Sequence, residues 1–285
     1  MKRRLIDLPK EFFKLPLPEK LLARLTQQKP LNHFFARFPP LNTRYPKPTT
    51  RKVKRNGIHY ELDLSDYMEW LVFWGIQVEP RRTLYQLVKP GSIVIDVGAN
   101  IGEVSMNLAQ LVGPSGFVHS FEPDTATFRK LNRNVALNNF VNLRINPIGL
   151  GDRDEQLVLQ TEVPSNRGGS RIHRHLSQGQ RVQVITLDSY VTKQQPGPVS
   201  LIKIDVEGFE LHVLRGAEHT LRQYKPVLFI ELDDDNLRDQ GDSATELVRF
   251  LEKRGYQTIK DAATGTSVST GTSFTHCHMD IMASQ

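Results

Sequence analysis

Two short apolar runs that each end in an acid, with a glycine-rich turn between them, constrain this chain most. The first run ends at Asp96, the turn contains Gly98, Asn100 and Gly102, and the second run ends at Glu122. Glycines let the backbone turn sharply and let a ligand approach closely, and the helix after such a turn begins with unpaired N–H groups. This order predicts a pocket for a nucleotide-like ligand at the carboxyl ends of two neighbouring parallel strands.

The spacing of the glycines differs from the dinucleotide-binding fingerprint, G-x-G-x-x-G. The acid before the turn favours a ligand with an ammonium group over a diphosphate. Glu122 follows Gly102 by 20 residues, the position from which a carboxylate accepts hydrogen bonds from ribose hydroxyls. For the turn alone, an ordinary tight connection between a strand and a helix is the alternative.

Strands and helices alternate along most of the chain, which predicts an α/β fold with a parallel sheet covered on both faces. We predict strands at 92–97, 117–122, 142–147, 157–160, 182–187, 200–206, 227–232, 256–260 and 279–284. We predict helices at 102–112, 125–137, 208–223 and 243–254. The segment 152–190 interrupts the alternation with two strands and a loop at 164–171, and 262–275 joins the last two strands as an antiparallel hairpin.

Residues 1–55 are predicted to form a basic, proline-rich extension of a domain that spans residues 56–285. The extension has 15 lysines and arginines against three acids, a net charge of +12, so the remaining residues carry −6. Its eight prolines exclude a long helix, although a short helix at 19–27 and a hairpin at 52–63 are expected. Such a segment attracts phosphate on nucleic acid or on a lipid surface; the alternative is a solvated extension lying over the body.

The composition excludes several classes of protein. There is no uninterrupted apolar span of about 18 residues, so no transmembrane helix is predicted. The single cysteine, Cys277, excludes an intramolecular disulfide and a cysteine-rich metal site. Charged residues interrupt any signal-peptide core near the N-terminus. We therefore expect a cytoplasmic protein that the basic extension could hold at the periphery of a membrane.

A third motif places ionisable residues at the end of the strand 200–206. Lys203, Asp205 and Glu207 alternate along the chain, so in a strand they point the same way. Three such groups are costly to bury without partners, which predicts a polar cluster that faces the cleft. A simple lysine–carboxylate salt bridge at the strand end is the alternative. Glu231 ends the next strand and adds an acid to the same rim.

With these motifs the chain resembles the FkbM family of S-adenosylmethionine-dependent methyltransferases. The resemblance covers roughly residues 57–232 and is most specific in the pair of motifs at 96–102 and 203–208. It implies a Rossmann-like class I methyltransferase sheet, mostly parallel with an antiparallel last strand, and S-adenosyl-L-methionine as cofactor. It also implies a set of residues that line the cofactor pocket, with the last of them on the adenine side: Asp96, Gly98, Asn100, Gly102, Glu122 and Asp152.

The resemblance further implies methylation of a hydroxyl oxygen on a small molecule, a sugar or a polyketide-type product. Because an alcohol is a poor nucleophile, the transfer benefits from a general base. Asp205 and Glu207 are the first candidates, Lys203 completes the predicted catalytic set, and His173 and His175 follow. The clustered acids offer ligands for a divalent cation, but we expect no metal.

The acceptor is not predicted from the sequence beyond its class. The aromatic stretch 67–74 and the segment 152–190 are expected to shape its pocket, because loops at strand ends carry specificity. Two other functions stay open. One is an RNA or other N- or O-methyltransferase guided by the basic extension, and the other is a non-catalytic module that binds S-adenosylmethionine.

Overall fold

The computed structural model describes residues 8–77, 79–161 and 167–285. The strands are β1 Lys29–Pro30, β2 Thr50–Arg55, β3 Ile58–Asp63, β4 Ile76–Gln77, β5 Ile93–Val97, β6 Phe117–Phe121, β7 Leu143–Asn146, β8 Gly149–Leu150, β9 Glu155–Thr161, β10 Ser170–His173, β11 Gln180–Ile185, β12 Val199–Ile204, β13 Val227–Asp233, β14 Thr258–Asp261 and β15 His278–Ser284. The α-helices are α1 Leu8–Phe12, α2 Pro16–Leu25, α3 Tyr67–Trp74, α4 Glu79–Leu87, α5 Glu103–Val112, α6 Thr125–Ala136, α7 Leu187–Gln194, α8 Glu210–Arg215, α9 Glu218–Tyr224, α10 Asp234–Asp239 and α11 Ala244–Lys253. Part of the predicted loop 164–171 lies outside the described residues.

The central sheet has seven strands in the order β14-β15-β13-β12-β5-β6-β7. β15 is antiparallel to both of its neighbours, and β13, β12, β5, β6 and β7 are parallel to one another. This arrangement confirms the predicted Rossmann-like, mostly parallel sheet with an antiparallel last strand. The chain passes from β5 to β6 on one side and returns to β12 on the other, so the crevice above β5 and β12 is a topological switch point, where open α/β sheets bind ligands.

A second, four-stranded sheet fills the segment that interrupts the alternation. Its order is β10-β9-β11-β8, and its apolar face packs on Phe209 at the start of α8. The strands expected at 157–160 and 182–187 are therefore confirmed as β9 and β11, except that β11 ends at Ile185 and Leu187 already begins α7, a helix that was not predicted. The sheet stands beside the carboxyl end of the central sheet, and residues of β9 and β10 form one wall of the crevice.

The described part of the N-terminal extension packs on the rest of the chain. β2 and β3 form the predicted hairpin, which turns at Asn56 and Gly57 with positive φ at both residues. The inner face of α2 joins a buried cluster with β3 and with the aromatic residues of α3. Trp70, Phe73 and Trp74 thus belong to the core, because burial of their large apolar surface places them inward. Met68 and Val72 of the same stretch line the cleft described below, so the expectation that the stretch 67–74 shapes the acceptor pocket stays a prediction.

The predicted single helix at 208–223 is wrong, since the structure has two short helices, α8 and α9, there. The first helix ends at Gly216, where an added Cβ would lie 1.9 Å from the carbonyl oxygen of Gly151. The backbones of Gly216 and Gly151 therefore pack directly against each other at the point where the helix is interrupted. The preceding strand also ends earlier than predicted, at Ile204, so Asp205 and Glu207 lie in the loop that follows. None of the helices in the described ranges is long and apolar enough to cross a membrane.

The contact between the first and third motifs sets the geometry of the crevice. Gly98 has φ +82°, and a Cβ there would lie 1.9 Å from the carbonyl oxygen of Asp205. The amide of Asp205 in turn donates to the carbonyl of Val97 at 3.1 Å. The turn after β5 and the loop after β12 are therefore in direct backbone contact, which leaves room for no side chain at Gly98.

We predict that Gly98→Ala destabilises the protein more than Gly241→Ala does. Gly241 has nearly the same φ, +84°, but has open space around it, so its substitution isolates the cost of the left-handed backbone, about 1 kcal/mol. At Gly98 the clash adds about 1–3 kcal/mol. Urea unfolding monitored by circular dichroism measures both values. Equal losses of unfolding free energy in the two variants would contradict the close contact.

Candidate active site

A cleft opens at the carboxyl ends of β5, β6 and β12, where the sequence predicts the ligand pocket. Six of the nine predicted site residues line it: Gly98, Asn100, Glu122, Lys203, Asp205 and Glu207. Asp96 and Gly102 lie beneath this lining and support it. Asp152 is not among the described residues that line the cleft.

A buried ion pair forms the floor of the cleft. Asp96 is the last residue but one of β5 and has no exposed surface. The Nζ of Lys203 lies 3.4 Å from the Oδ1 of Asp96 and 3.3 Å from the Oδ2 of Asp205. Lys203 also donates to the backbone carbonyls of Val97 and Gly98, at 3.3 and 2.8 Å. Burial by itself lowers the pKa of Lys203, but the two carboxylates raise it above its usual value. Lys203 is therefore a permanent cation that positions the glycine turn, and it cannot accept a proton.

The glycine turn and Glu122 hold one another. The two carboxylate oxygens of Glu122 accept the backbone amides of Asn100 and Asp124, each at 2.9 Å. Burial raises the pKa of Glu122 to about 7. Gly102 has φ +86°, and a Cβ there would lie 2.4 Å from Leu131 of α6, so the turn packs closely against that helix. Glu122 also lines the cleft, and each of its carboxylate oxygens has a second lone pair that can accept a further hydrogen bond.

Three acids from neighbouring strand ends meet at the rim. Carboxylate oxygens of Asp205, Glu207 and Glu231 all lie within 4.8 Å of one another. Burial, followed by the charge of Asp205, raises the pKa of Glu207 to about 7 and raises that of Glu231 well above its usual value. This geometry confirms the prediction that Glu231 lies on the same rim as the acids that follow β12. The expected absence of a metal stays a prediction.

Glu207 is held in an unusual backbone conformation. Its φ is +55°, in the left-handed region, and its Oε2 accepts the side-chain amide of Asn236 at 3.0 Å. The loop is fixed from below by Glu210, which is buried and accepts the amides of Val206 and Gly208 at 3.0 and 3.1 Å. Non-glycine residues rarely keep such a φ without surrounding support, and such strain is concentrated at functional sites. This role of Glu210 was not predicted from the sequence.

The other predicted site residues lie elsewhere. Asp152 forms an ion pair with Arg174 and lies 3.4 Å from the Nδ1 of His212, whose pKa is lowered by burial. This network ties the four-stranded sheet to α8, so in this structure Asp152 makes structural contacts. His173 lies on β10 and His175 in the loop that follows it, and neither lines the cleft.

A second and larger cavity lies next to the cleft, and the sequence analysis missed it. Its volume is about 510 Å³, and it is bounded by the end of α2, the β2–β3 turn, α4 and α5. Val72, Arg81 and Glu103 line both the cavity and the cleft, and an Arg81–Glu103 ion pair of 3.0 Å forms part of the shared wall. Only a pair of adjacent arginines, Arg81 and Arg82, marks this place in the sequence.

The cleft is narrow, with a volume of about 90 Å³. Sites for small molecules usually measure roughly 300–1,000 Å³. We therefore expect ligand entry to displace the wall that Leu159, Ser170 and Ile172 form on the side of the four-stranded sheet. The residues of the floor, which are tied by the buried ion pair, do not need to move.

The donors and acceptors of the cleft fit one cofactor. Carboxylates match an ammonium and ribose hydroxyls, the first turn of α5 offers unpaired amides, and Gly98 leaves the turn open. Sheet and cleft together define a class I S-adenosyl-L-methionine-dependent methyltransferase. The family model described as the Methyltransferase FkbM domain matches residues 96–258, and the chain belongs to that family.

Curated relatives agree with this assignment. The chain is 28% identical over 186 residues to Methyltransferase 1 of Beauveria bassiana, covering 58% of this chain and 72% of the relative. It is 27% identical over 150 residues to the hexuronic acid methyltransferase AglP of Haloferax volcanii, covering 52% and 59%. It is 24% identical over 176 residues to the 2-O-methyltransferase NoeI of Sinorhizobium fredii, covering 55% and 70%.

We predict that Glu122→Gln weakens binding of S-adenosyl-L-methionine about tenfold to a hundredfold. The glutamine amide presents a donor where the carboxylate accepts a backbone N–H, and hydrogen bonds to charged groups are worth about 1.5–3 kcal/mol. Isothermal titration calorimetry measures the affinity. Asp188→Asn is a matched control, because Asp188 also accepts two backbone amides, those of His219 and Thr220, but lies outside the cleft. An unchanged affinity in Glu122→Gln would remove Glu122 from the cofactor site.

Proposed function

We propose that the protein transfers the methyl group of S-adenosyl-L-methionine to a hydroxyl oxygen of an acidic sugar or of a similar glycan-like small molecule. The observation that carries this proposal is the carboxyl group of Glu207. It lines the cleft beside the glycine turn, and burial holds its pKa near 7. A base with a pKa close to the working pH is the most effective acceptor for an alcohol proton.

Different residues of the cleft have different roles in the proposed reaction. When bound, S-adenosyl-L-methionine supplies a methyl group already activated on a positively charged sulfur, so the protein mainly orients the acceptor and receives its proton. Lys203 and Asp96 hold the turn rigid, and Glu207 accepts the hydroxyl proton as the oxygen–carbon bond forms. Asp205 pairs with Lys203 and lies beside Glu207. Of the two bases that the sequence offers as first candidates, this division of roles favours Glu207 over Asp205.

The second cavity supports an acidic, polyhydroxylated acceptor. Three guanidinium groups, those of Arg55, Arg81 and Arg82, face one acid, Glu103, around it. Arg55 donates only to backbone carbonyls, and partial burial lowers its pKa to about 10. This partly buried cation therefore has no carboxylate partner among the described residues. Planar guanidinium groups bind carboxylates and phosphates in a bidentate manner.

Free amide groups complete the character of this cavity. Within the described ranges, four glutamine side chains on its wall make no hydrogen bond: Gln27, Gln28, Gln77 and Gln86. Amides that both donate and accept suit sugar hydroxyls. The name of one relative, a hexuronic acid methyltransferase, agrees with an acidic sugar as acceptor, and the name of another, a 2-O-methyltransferase, agrees with transfer to an oxygen.

We predict that Glu207→Gln lowers kcat by roughly a hundredfold to ten-thousandfold and removes its pH dependence. In the wild type only the deprotonated carboxylate accepts the proton, so kcat rises as the pH increases through about 7. Glutamine keeps the shape and the contact with Asn236 but accepts no proton. Methyl transfer from labelled S-adenosyl-L-methionine, measured between pH 5 and 9, tests this, and calorimetry shows whether cofactor binding persists.

Two further variants give opposite shifts of the same pH profile. The charge of Asp205 raises the pKa of Glu207, whereas the charge of Arg171 lowers it. Asp205→Asn therefore moves the midpoint to lower pH, and Arg171→Gln moves it to higher pH. If neither substitution shifts the midpoint of the pH profile and Glu207→Gln remains active, Glu207 is excluded as the base.

We predict that methyl groups from labelled S-adenosyl-L-methionine enter sugars that contain a uronic acid in preference to their neutral counterparts. We also predict that Arg82→Gln raises KM for the acidic acceptor with little change in kcat. Arg82 is exposed on the cavity wall and forms no ion pair in the described part of the chain. Arg181→Gln, at another exposed arginine away from the cavity, serves as control. Label in RNA instead of glycans would favour the RNA alternative, and cofactor binding without any labelled product would favour a binding module.

A further inference from the structure

Exposed apolar side chains are concentrated in one short part of the described chain. Thirteen large apolar side chains are exposed in the described residues, and eight of them lie between residues 12 and 41: Phe12, Leu15, Leu17, Leu21, Leu25, Leu31, Phe34 and Leu41. Single exposed apolar residues are normal on a protein surface, but a group of this size marks an interaction site.

The outer face of α2 is the most regular part of this group. Leu17, Leu21 and Leu25 recur every fourth residue, so they form one stripe along the helix, and they are 80%, 61% and 40% exposed. Lys20 and Arg24 flank the stripe and are exposed as well. The opposite face of the helix is buried against α3 and β3, so α2 is apolar on both sides, and only the inner side has a partner within the described chain.

Aromatic rings join the end of α1 to a short 3-10 helix at Phe34–Arg37, which follows β1. Phe12 contacts Phe13 with ring centroids 5.6 Å apart, Phe13 contacts Phe38 at 6.1 Å, and Phe38 contacts Phe34 at 5.1 Å. Phe12 and Phe34, at the two ends of this series, are 55% and 62% exposed. The rings therefore form a continuous apolar strip whose ends reach the surface.

The charge around this surface is positive. Five basic side chains between residues 20 and 47 form no ion pair with other described residues: Lys20, Arg24, Lys29, Arg37 and Lys47. Both acids of the described part of the extension are already paired, Glu11 with Lys14 at 2.9 Å and Glu19 with Arg51 at 2.8 Å. Positive charge is thus left over beside the exposed leucines and phenylalanines.

We propose that residues 12–41 bind the surface of an anionic lipid bilayer. The leucines of α2 enter the boundary between headgroups and acyl chains, and the flanking lysines and arginines contact lipid phosphates. Binding to RNA shares the charge, but it uses aromatic stacking and gives a stripe of three exposed leucines nothing to contact. The apolar stripe together with the unpaired cations therefore favours the bilayer.

Co-sedimentation of the full chain with vesicles tests this proposal. Vesicles of phosphatidylcholine with about a third phosphatidylglycerol should bind the wild type, and pure phosphatidylcholine should bind it more weakly. The variant Leu17→Ser/Leu21→Ser/Leu25→Ser should lose roughly tenfold or more in vesicle affinity and keep its affinity for S-adenosyl-L-methionine. The variant Lys20→Gln/Arg24→Gln should lose the preference for the anionic vesicles.

A matched triple variant separates this surface from general loss of apolar area. Leu111→Ser/Leu137→Ser/Val141→Ser removes three exposed apolar side chains outside the surface and should bind vesicles like the wild type. Three outcomes would overturn the proposal: no vesicle binding by the wild type, equal vesicle binding by both triple variants, or binding of RNA oligonucleotides without binding of vesicles. A dimer in analytical ultracentrifugation that the α2 variant dissolves, without vesicle binding, would assign the surface to a second copy instead.

Discussion

The ammonium of Lys203, buried between Asp96, Asp205 and two backbone carbonyls, is the interaction on which the rest of this site depends. It joins the end of β12 to the end of β5 across the switch point of the sheet. Removal of one partner from a buried ion pair costs about 3–5 kcal/mol, because it leaves an uncompensated charge. The glycine turn, the loop with Glu207 and the floor of the cleft therefore form one unit.

The central sheet and most of the site could be predicted from the sequence because both follow local periodicity. Each signal lies within a short stretch of sequence: the acids at strand ends, the glycines of the turn and the alternation along β12. Asp152 shows the limit, since its partners Arg174 and His212 come from distant segments. The break at Gly216 has the same origin, because it depends on the backbone of Gly151, far away in the chain.

The chemical difference between similar acids also lies beyond the sequence. Asp205 and Glu207 are two residues apart, yet one pairs with Lys203 while the other is buried next to a negative charge and has a raised pKa. Burial of this kind results from the packing of β13, α8 and α10 around the loop. A sequence motif can therefore name a set of candidate bases, but only the folded environment ranks them.

The wall shared by the cleft and the larger cavity has a consequence for the binding of the cofactor in the cleft and of the proposed acceptor in the cavity. The Arg81–Glu103 pair stands between them, and Glu103 is the first residue of the helix that follows the glycine turn. A ligand with an acidic group that attracts Arg81 would compete with Glu103 and so disturb the start of α5. Each substrate would then change the affinity of the enzyme for the other by the same factor, as thermodynamic linkage requires. If the larger cavity binds the acceptor as proposed, this single ion pair couples the binding of donor and acceptor.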